Sequence, residues 1–408
     1  MSSTLEHDPR LIAEQGGLRG LLGDYRRRVR QGDIGQLPVI VGLVAISTVF
    51  EIATDGIFLS PFNLVNMTLQ MSAVGTIAIG LVLVLLLGEI DLSAGIVSGL
   101  CAAIMAVLSV NYDLPAPVAI GLALLSGAAV GGFHGAWSTG FGVPTFVVTL
   151  AGLLGWQGAL LAVLGKTGTI NVLDRTIVAL AGTFLHGVSA YIAGAVFIGY
   201  VAVAPLLNRR RRLAAGLAVQ PLSVVMVRAI AVSVCVIVAV VVLDADRGIS
   251  SAMLFLLGAI LVMDFILRRV RFGRMIYAVG GNAEAARRAG IPVRRVRIAV
   301  FVLASLFSAW GGILGASRLL AVNQSAGGGP VLLLNAIAAA VIGGTSLFGG
   351  RGTVWSALFG ILVIQSISSG MDLLSLDASI KFMVTGAVLL VTVTIDAVLR
   401  RSGAAPRT

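Results

Sequence analysis

The chain has 408 residues, of which 58% are hydrophobic and 12% are charged, and its mean hydropathy is +1.02. Soluble domains contain about 45–50% apolar residues, so much of this chain cannot face water. A net charge of +11 would suggest nucleic-acid binding in a soluble protein, but here the arginines gather between long apolar runs. The composition therefore favours a polytopic all-α membrane protein that binds no nucleic acid, because lipid requires backbone groups to be paired internally.

The first 36 residues are polar and are predicted to form a cytoplasmic N-terminal segment. Leu11, Leu18, Leu22 and Tyr25 recur at roughly helical spacing and precede the Arg26–Arg30 cluster. This pattern fits either a helix lying on the anionic lipid of the inner leaflet or a disordered tail with arginines. In both cases the arginines place the N-terminus inside. No cleavable signal peptide is predicted, because the chain begins with a polar stretch.

Residues 37–399 are predicted to form the transmembrane domain, with about 12 spans and a range of 10 to 14, since a span needs about 20 apolar residues. The candidate spans are Leu37–Ile52, Met67–Leu87, Gly95–Val110, Ala116–Gly135, Val143–Leu164, Gly187–Leu207, Val224–Leu243, Ile249–Leu267, Ile298–Ala321, Leu332–Phe348, Val354–Gly370 and Ile380–Leu399. Residues 400–408 are predicted to be a cytoplasmic tail.

The distribution of charge predicts the orientation of the spans. With the N-terminus inside, the inner segments receive the Arg26–Arg30 and Arg209–Arg212 clusters, the loop 268–297, Arg351 and the Arg400–Arg401 pair. The outer segments receive mainly aspartates and glutamates. This asymmetry follows the positive-inside rule and predicts an even number of spans with both termini cytoplasmic.

The loop 268–297 contains a polar, basic island that reads locally as a very short helix. Asn282 can cap its N-terminus, and Glu284 lies in its first turn, where the helix dipole favours an anion. Arg287 lies in the last turn, and Gly290 and Pro292 end the helix. Two helical turns are too short to be stable alone in water. The segment is therefore either a docking element held from outside or a plain cytoplasmic loop.

Three motifs resemble the permease subunits of ATP-binding-cassette (ABC) sugar importers, and more narrowly their ribose/xylose branch. The first is Glu284-Ala285-Ala286 followed by Gly290, which resembles the loop that couples such permeases to their ATPase. The second is Gly88-Glu89-Ile90-Asp91-Leu92-Ser93-Ala94-Gly95, and the third runs from Ala336 to Gly352. An additional pair of spans between residues 187 and 267 resembles the longer xylose-type members.

The resemblance implies a transmembrane subunit that translocates a monosaccharide, xylose or another pentose, across the bacterial inner membrane. It implies two permease copies, an ABC ATPase subunit that holds ATP and Mg²⁺, and a periplasmic sugar-binding protein. The residues expected to contact the ATPase are Asn282, Glu284, Ala285, Ala286, Arg287, Gly290 and Pro292.

The chain itself is expected to have no catalytic or metal site and to bind no cofactor. Gly165-Lys166-Thr167 resembles the end of a phosphate loop, but Leu160 replaces the glycine required six positions before Lys166. The three histidines are scattered along the chain, and Cys101 and Cys235 lie in separate apolar runs. An enzyme is therefore not expected.

Glu89 and Asp91 are the most unusual acids, because they lie in a Gly/Ser-rich break between two apolar runs. Acids at such positions either line a pathway or are hydrated in a short inner loop. The segments Leu87–Ser93 and Ile342–Phe348 resemble one another, which is either a repeat of two parallel halves or a chance similarity. The candidates for pathway or gate residues are Glu89, Asp91, Ser93, Thr345 and Ser346.

Two other functions are weighed against a sugar permease. A branched-chain amino-acid ABC permease shares the broader superfamily, and an ion-coupled secondary transporter would need acids deep in the spans, of which this chain has few. Gln157, Asn335 and Gln365 are expected to hydrogen-bond across helices. Glycines four residues apart, as in Gly127, Gly131 and Gly135, are expected to let helices of one chain approach closely.

Overall fold

The computed structural model describes residues 37–216, 219, 222–324 and 329–403. The segment 1–36, with its arginine cluster, and the end of the tail, 404–408, lie outside the described residues. The described chain forms two compact units: a larger one over residues 37–183 and 250–395, and a smaller one built on residues 184–249.

Fifteen helices, four short strands and one 3₁₀ turn make up the described chain. The helices are α1 (Leu37–Ala53), α2 (Pro61–Leu86), α3 (Ala94–Val110), α4 (Ala116–Phe141), α5 (Thr145–Leu164), α6 (Arg175–Gly182), α7 (Val188–Ala214), α8 (Leu222–Asp244), α9 (Ser251–Arg269), α10 (Arg271–Gly281), α11 (Ala283–Arg288), α12 (Val293–Leu319), α13 (Pro330–Ile342), α14 (Trp355–Leu373) and α15 (Ala378–Gly403). The strands are β1 (Thr169–Asn171), β2 (Phe184–Leu185), β3 (Ile249–Ser250) and β4 (Ala321–Asn323), and the 3₁₀ turn is Gly165–Thr167.

The prediction of a polytopic all-α membrane protein is confirmed. Eight of the described helices are long and apolar enough to cross a membrane, and α1, α3, α13 and α15 are shorter apolar helices. Each of the twelve predicted spans overlaps one of these helices. The number of actual crossings and the cytoplasmic location of both termini stay predictions.

Some predicted boundaries were wrong for identifiable reasons. Helix α2 begins at Pro61, because the Ser60 side chain accepts a hydrogen bond from the Asn63 amide and proline is favoured in the first turn. The predicted span Leu332–Phe348 includes a loop, since α13 ends at Ile342 before a pair of glycines. The basic loop also contains more helix than expected, because α10 occupies its first part.

Helix α12 lies at the centre of the larger unit and packs against α2, α3 and α4. The glycine face of α4 makes this possible: a Cβ added at Gly127 would lie 2.8 Å from the Ala309 Cβ, and one at Gly135 would lie 2.8 Å from the Ile298 Cα. At Gly131 an added Cβ would overlap the Phe301 carbonyl. The four-residue glycine spacing is therefore used within one chain, as predicted.

Polar contacts connect α2 to α14 inside the same unit. The Gln365 amide nitrogen donates to the Gln70 amide oxygen at 3.0 Å, and the Ser369 hydroxyl donates to the Asn63 oxygen at 2.8 Å. The expected cross-helix role of Gln365 is confirmed. Such bonds contribute about 0.6 to 2 kcal/mol each inside a membrane.

The C-terminal end of α12 leads into a small antiparallel sheet. Strand β4 follows α12 and pairs with β1, which follows α5, with Ile170 opposite Val322. The ends of α5 and α12 therefore lie together, on the side away from the basic loop that precedes α12.

The smaller unit consists mainly of α7 and α8, which pack side by side. A Cβ added at Gly194 would lie 2.9 Å from the Val240 side chain, so this glycine sets a close approach. The Asp244 carboxylate accepts the Gly187 amide at 2.6 Å and joins the start of α7 to the end of α8.

We expect Gly131→Ala to destabilise the protein by about 1–3 kcal/mol, because the new methyl group would be forced against the Phe301 carbonyl. Gly132→Ala is the matched control, since its added Cβ would lie 3.7 Å from Val302, an ordinary contact. Both changes gain similar helix propensity. Thermal unfolding in detergent should show a lower Tm for the first variant alone; equal Tm values would contradict the packing.

Candidate functional site

The short helix α11 is capped as its sequence predicts. The Asn282 side chain accepts a hydrogen bond from the Ala285 amide at 2.9 Å. Glu284 lies in the first turn and forms ion pairs with Arg287 at 3.3 Å and Arg288 at 3.4 Å. These pairs are exposed, with 57% of the Glu284 side chain accessible, so they contribute little to stability.

The end of α11 is a complete Schellman motif centred on a glycine. The Gly290 amide donates to the Arg287 carbonyl at 3.0 Å, and the Ile291 amide donates to the Ala286 carbonyl at 3.0 Å. Gly290 has φ +81°, a conformation that disfavours any residue with a side chain. Pro292 then begins the turn into α12.

Most residues of helix α11 are exposed on the surface of the larger unit. After the role that the sequence predicts for this segment, we use the name coupling surface for the exposed residues Asn282, Glu284, Ala285, Arg287, Arg288, Ala289, Gly290 and Pro292. Ala286 differs from the other residues that were expected to make contact: it is buried, with Ile291 and Val293 in the same apolar cluster. Ala286 therefore anchors the helix to the rest of the unit, and its neighbours form the available surface.

Immediately before α11, three backbone segments meet at what we call the glycine junction, which is Gly88, Gly280, Gly349 and Gly350. The Gly350 amide donates to the Leu86 carbonyl at 2.9 Å. A Cβ at Gly280 would overlap that same carbonyl, and one at Gly349 would lie 2.6 Å from the Gly280 oxygen. The second and third motifs of the sequence thus lie in direct contact, and Gly280, four residues before the first motif, packs against both segments.

The first of these segments is a helix break that follows α2. The Gly88 amide donates to Leu85 at 2.9 Å, and the Glu89 amide donates to Val84 at 3.2 Å. Gly88 has φ +76°. This is again a Schellman ending, which satisfies the last carbonyls of α2 before the chain turns into α3.

The second break, after α13, ends in the same way. The Gly344 amide donates to Val341 at 2.9 Å, the Thr345 amide donates to Ala340 at 3.1 Å, and Gly344 has φ +100°. The two breaks therefore share a backbone motif. The two breaks are equivalent when Gly88 is aligned with Gly344, because both glycines have positive φ. The match between the sequences aligned Gly88 with Gly343, which is one residue away.

Glu89 is held by an ion pair across the break. Its Oε1 lies 2.7 Å from the Arg297 Nε, with 8% of the Glu89 side chain and 32% of the Arg297 side chain exposed. Burial raises the pKa of Glu89, and the positive charge of Arg297 opposes that rise. The interpretation of Glu89 as a freely hydrated carboxylate is therefore wrong, because its charge is buried against the first turns of α12.

Asp91 belongs to a chain of buried polar groups. Its Oδ1 accepts the Ser93 amide at 2.8 Å and the Ser93 hydroxyl at 2.6 Å. The Ser93 oxygen lies 3.5 Å from the His134 Nδ1, and the Trp156 indole donates to the His134 Nε2 at 2.9 Å. Since Nε2 accepts a bond, the neutral ring carries its proton on Nδ1, which points the donor toward Ser93.

The backbone of the first break is also fixed by a side chain of α5. The Thr149 hydroxyl accepts the Leu92 amide at 3.1 Å and lies 3.4 Å from the Ile90 carbonyl. A Cβ at Gly152, one turn further along α5, would overlap His134. That glycine therefore makes room for the ring that reaches Ser93.

The second break is tied to α10. The Tyr277 hydroxyl donates to the Gly352 carbonyl at 2.9 Å, and the Ser346 amide donates to the Arg351 carbonyl at 3.0 Å. The Ser346 hydroxyl oxygen accepts the Phe348 amide at 3.0 Å. Thr345 and Ser346 are buried, and the Thr345 hydroxyl has no partner within the described residues.

The structure thus brings the predicted coupling and pathway residues close to one junction, and it adds partners that the sequence did not indicate. Arg297 was assigned only to a basic loop, and His134 was treated as one of three scattered histidines. Thr149, Trp156 and Tyr277 carry no signal in the sequence, because their role depends on contacts with distant segments. Among the described residues, no cluster of His, Cys, Asp and Glu could hold a metal ion.

We expect Glu89→Gln and Arg297→Gln each to destabilise the protein by about 1–3 kcal/mol, because each leaves a partly buried charge without its partner. The double variant should lose less than the sum of the two, since it removes both charges. A double-mutant cycle from denaturant unfolding in detergent measures this coupling. Additive losses would contradict the ion pair.

Comparison with known proteins supplies the family. Residues 63–393 match the model for the family described as branched-chain amino acid transport system / permease component. The chain is 36% identical to the xylose transport system permease protein XylH of Escherichia coli K12, over 89% of this chain and 92% of the relative. It is 35% identical to XylH of Haemophilus influenzae, over 88% of this chain and 96% of the relative.

A more distant relative is the ribose import permease protein RbsC of Bacillus subtilis, 29% identical over 90% of this chain and 94% of the relative. No solved structure matches the chain. The family model covers most of the chain, including α11, both helix breaks and the central helix α12. The chain therefore belongs to the family of branched-chain amino acid transport system / permease components.

Proposed function

We propose that this chain is the membrane-spanning subunit of an ABC importer that carries a monosaccharide, xylose or another pentose, across the inner membrane of a bacterial cell. The observation that carries the proposal is the direct contact between the segment leading into α11 and both helix breaks. The substrate class rests on the relatives, whose names specify xylose, arabinose, ribose and fructose.

In this proposal a separate ATPase subunit binds the coupling surface and supplies the energy. ATP and Mg²⁺ are held by that subunit, and this chain binds neither. The exposed residues around Glu284 and Gly290 form the contact, and buried Ala286 transmits force inward. Closure of two ATPase subunits on ATP would displace the α11 helices of two permease copies and bias the spans between two states.

The two breaks are the proposed moving parts of the pathway. All five candidate pathway residues, Glu89, Asp91, Ser93, Thr345 and Ser346, are buried in the structure. Irregular backbone at membrane depth is tolerated where it is buried in protein or lines a cavity. Sugar would arrive from a periplasmic binding protein on the side of β1 and β4, and a homodimer of the permease would enclose the path.

A branched-chain amino acid is the second candidate substrate, because the family description names that class. The two candidates are distinguished by import into proteoliposomes that contain the permease, its ATPase and its binding protein. We expect ATP-dependent import of D-xylose or another pentose and no import of leucine. ATP-dependent import of leucine alone would overturn the proposed substrate, and sugar import without the ATPase would overturn the proposed mechanism.

In the same preparation, Glu284→Lys should detach the ATPase, because it reverses a charge at the centre of the coupling surface. Glu284→Gln is the matched control and should retain most binding, since the exposed ion pairs contribute about 1 kcal/mol or less. Co-purification of the ATPase measures the effect. Retention of the ATPase by the lysine variant would show that docking occurs elsewhere.

Gly280→Ala should uncouple ATP hydrolysis from import while the ATPase stays bound, because the new methyl group would separate the glycine junction from Leu86. Gly281→Ala is an adjacent control with nothing within 4 Å of the added Cβ. The measurement is the ratio of imported sugar to hydrolysed ATP. A ratio that stays equal in the two variants would exclude the junction as the connection.

A further inference from the structure

The larger unit contains a cavity of about 450 Å³ that none of the sequence motifs indicates. It is bounded by α2, α5, the residues Gln324 and Gly329, and the first turns of α13. Val74, on its wall, lies near the middle of α2, so the cavity lies at mid-depth along that helix. Its volume falls within the range of about 300–1,000 Å³ that is typical of small-molecule sites.

The wall of the cavity combines carboxamides with apolar side chains. Gln157, Gln324 and Asn335 supply the polar groups, and Val74 and Leu332 contribute apolar surface. Within the described residues these three amides make no hydrogen bond to protein, so the expected cross-helix role of Gln157 and Asn335 is not seen. Each carboxamide offers two donors and an acceptor. Gln157 and Asn335 are half-buried and Gln324 is exposed, so their polar atoms are open to a molecule in the cavity.

We propose that Gln157, Gln324 and Asn335 are the hydroxyl-binding contacts of a transient monosaccharide site on the transport path, an inference that rests on the proposed function. Sugar hydroxyls both donate and accept hydrogen bonds, as carboxamides do, and the carbon face of a pyranose can lie on valine and leucine. None of the lining residues in the described part of the chain carries a charge.

The absence of charge on these lining residues distinguishes between a sugar and an amino acid as the substrate. An amino acid carries an ammonium and a carboxylate, and removing those charges from water is costly without charged partners. A neutral pentose has no such requirement. The cavity wall therefore fits a polyhydroxylated neutral molecule and does not fit a zwitterion.

The cavity adjoins the moving parts of the proposed mechanism. A Cβ at Gly95, in the first turn of α3, would lie 2.8 Å from the Leu333 Cβ of α13. The neighbouring Leu332 lines the cavity. One turn of α13 thus contacts both the helix that follows the first break and the wall of the proposed site, so displacement of that break would reshape the site.

The test uses the complete importer in proteoliposomes, with D-xylose, D-ribose, L-arabinose and D-fructose as the probes. We expect Gln157→Leu and Asn335→Leu each to reduce import at subsaturating sugar about tenfold, with ATPase binding unchanged. Gln365→Leu is the matched control: its amide pairs with Gln70 and does not line the cavity, so import should stay near wild type once folding is verified. Unchanged import by both cavity variants would overturn the site.

A second measurement remains valid even if the protein does not tolerate the leucine substitutions. In a Cys235→Ser background, which leaves only buried Cys101, Gln157→Cys and Asn335→Cys are labelled with a maleimide. The imported sugar should slow labelling at both positions, and equal rates with and without that sugar would overturn the site. If the wild-type importer moves none of the four sugars, the proposed function fails, which is a different result from a wild-type importer whose cavity variants are unaffected.

Discussion

The close approach of three backbone segments at the glycine junction is the constraint on which the site depends. Gly280 lies against the Leu86 carbonyl, and that carbonyl accepts the Gly350 amide. A side chain at Gly280 or Gly349 would separate these segments, whatever its chemistry. Because Leu86 is fully buried, its carbonyl has no access to water, and the Gly350 amide supplies the partner that this carbonyl needs.

Both helix breaks begin with the same backbone motif, but the side chains that follow it differ. A left-handed glycine, Gly88 or Gly344, ends each helix and satisfies its last carbonyls internally. The first break adds charge, since Glu89 pairs with Arg297 and Asp91 accepts two bonds from Ser93. Acids are expensive near the membrane interior, and these contacts offset much of that cost. The second break has the neutral Thr345 and Ser346 instead.

The sequence was sufficient where structure is determined locally. Long apolar runs located twelve helices, since burial in lipid requires uninterrupted apolar length, and the chemistry of Asn282 and Gly290 predicted both ends of α11. The remaining features depend on distant partners. Nothing near Arg297 indicates that it reaches Glu89, and nothing near His134 indicates that it lies between Ser93 and Trp156. The predicted alignment of the two breaks was wrong by one residue. It matched residue types, whereas the equivalent positions are defined by the glycine that has positive φ.

The position of α11 fits the proposed mechanism, in which so small a helix acts on the whole unit. It is too short to be stable alone, so its geometry is set by the elements that flank it, α10 and α12. Each flanking element is attached to a different break: Tyr277 of α10 bonds to Gly352, and Arg297 of α12 pairs with Glu89. In the proposed mechanism a force applied to α11 would reach each break through one of these side chains, and both breaks also meet α10 where Gly88 contacts the Phe348–Gly349 backbone. Since that meeting point is held by close backbone packing and one hydrogen bond, it can shift without exposing a charge, whereas the Glu89–Arg297 pair cannot separate without doing so.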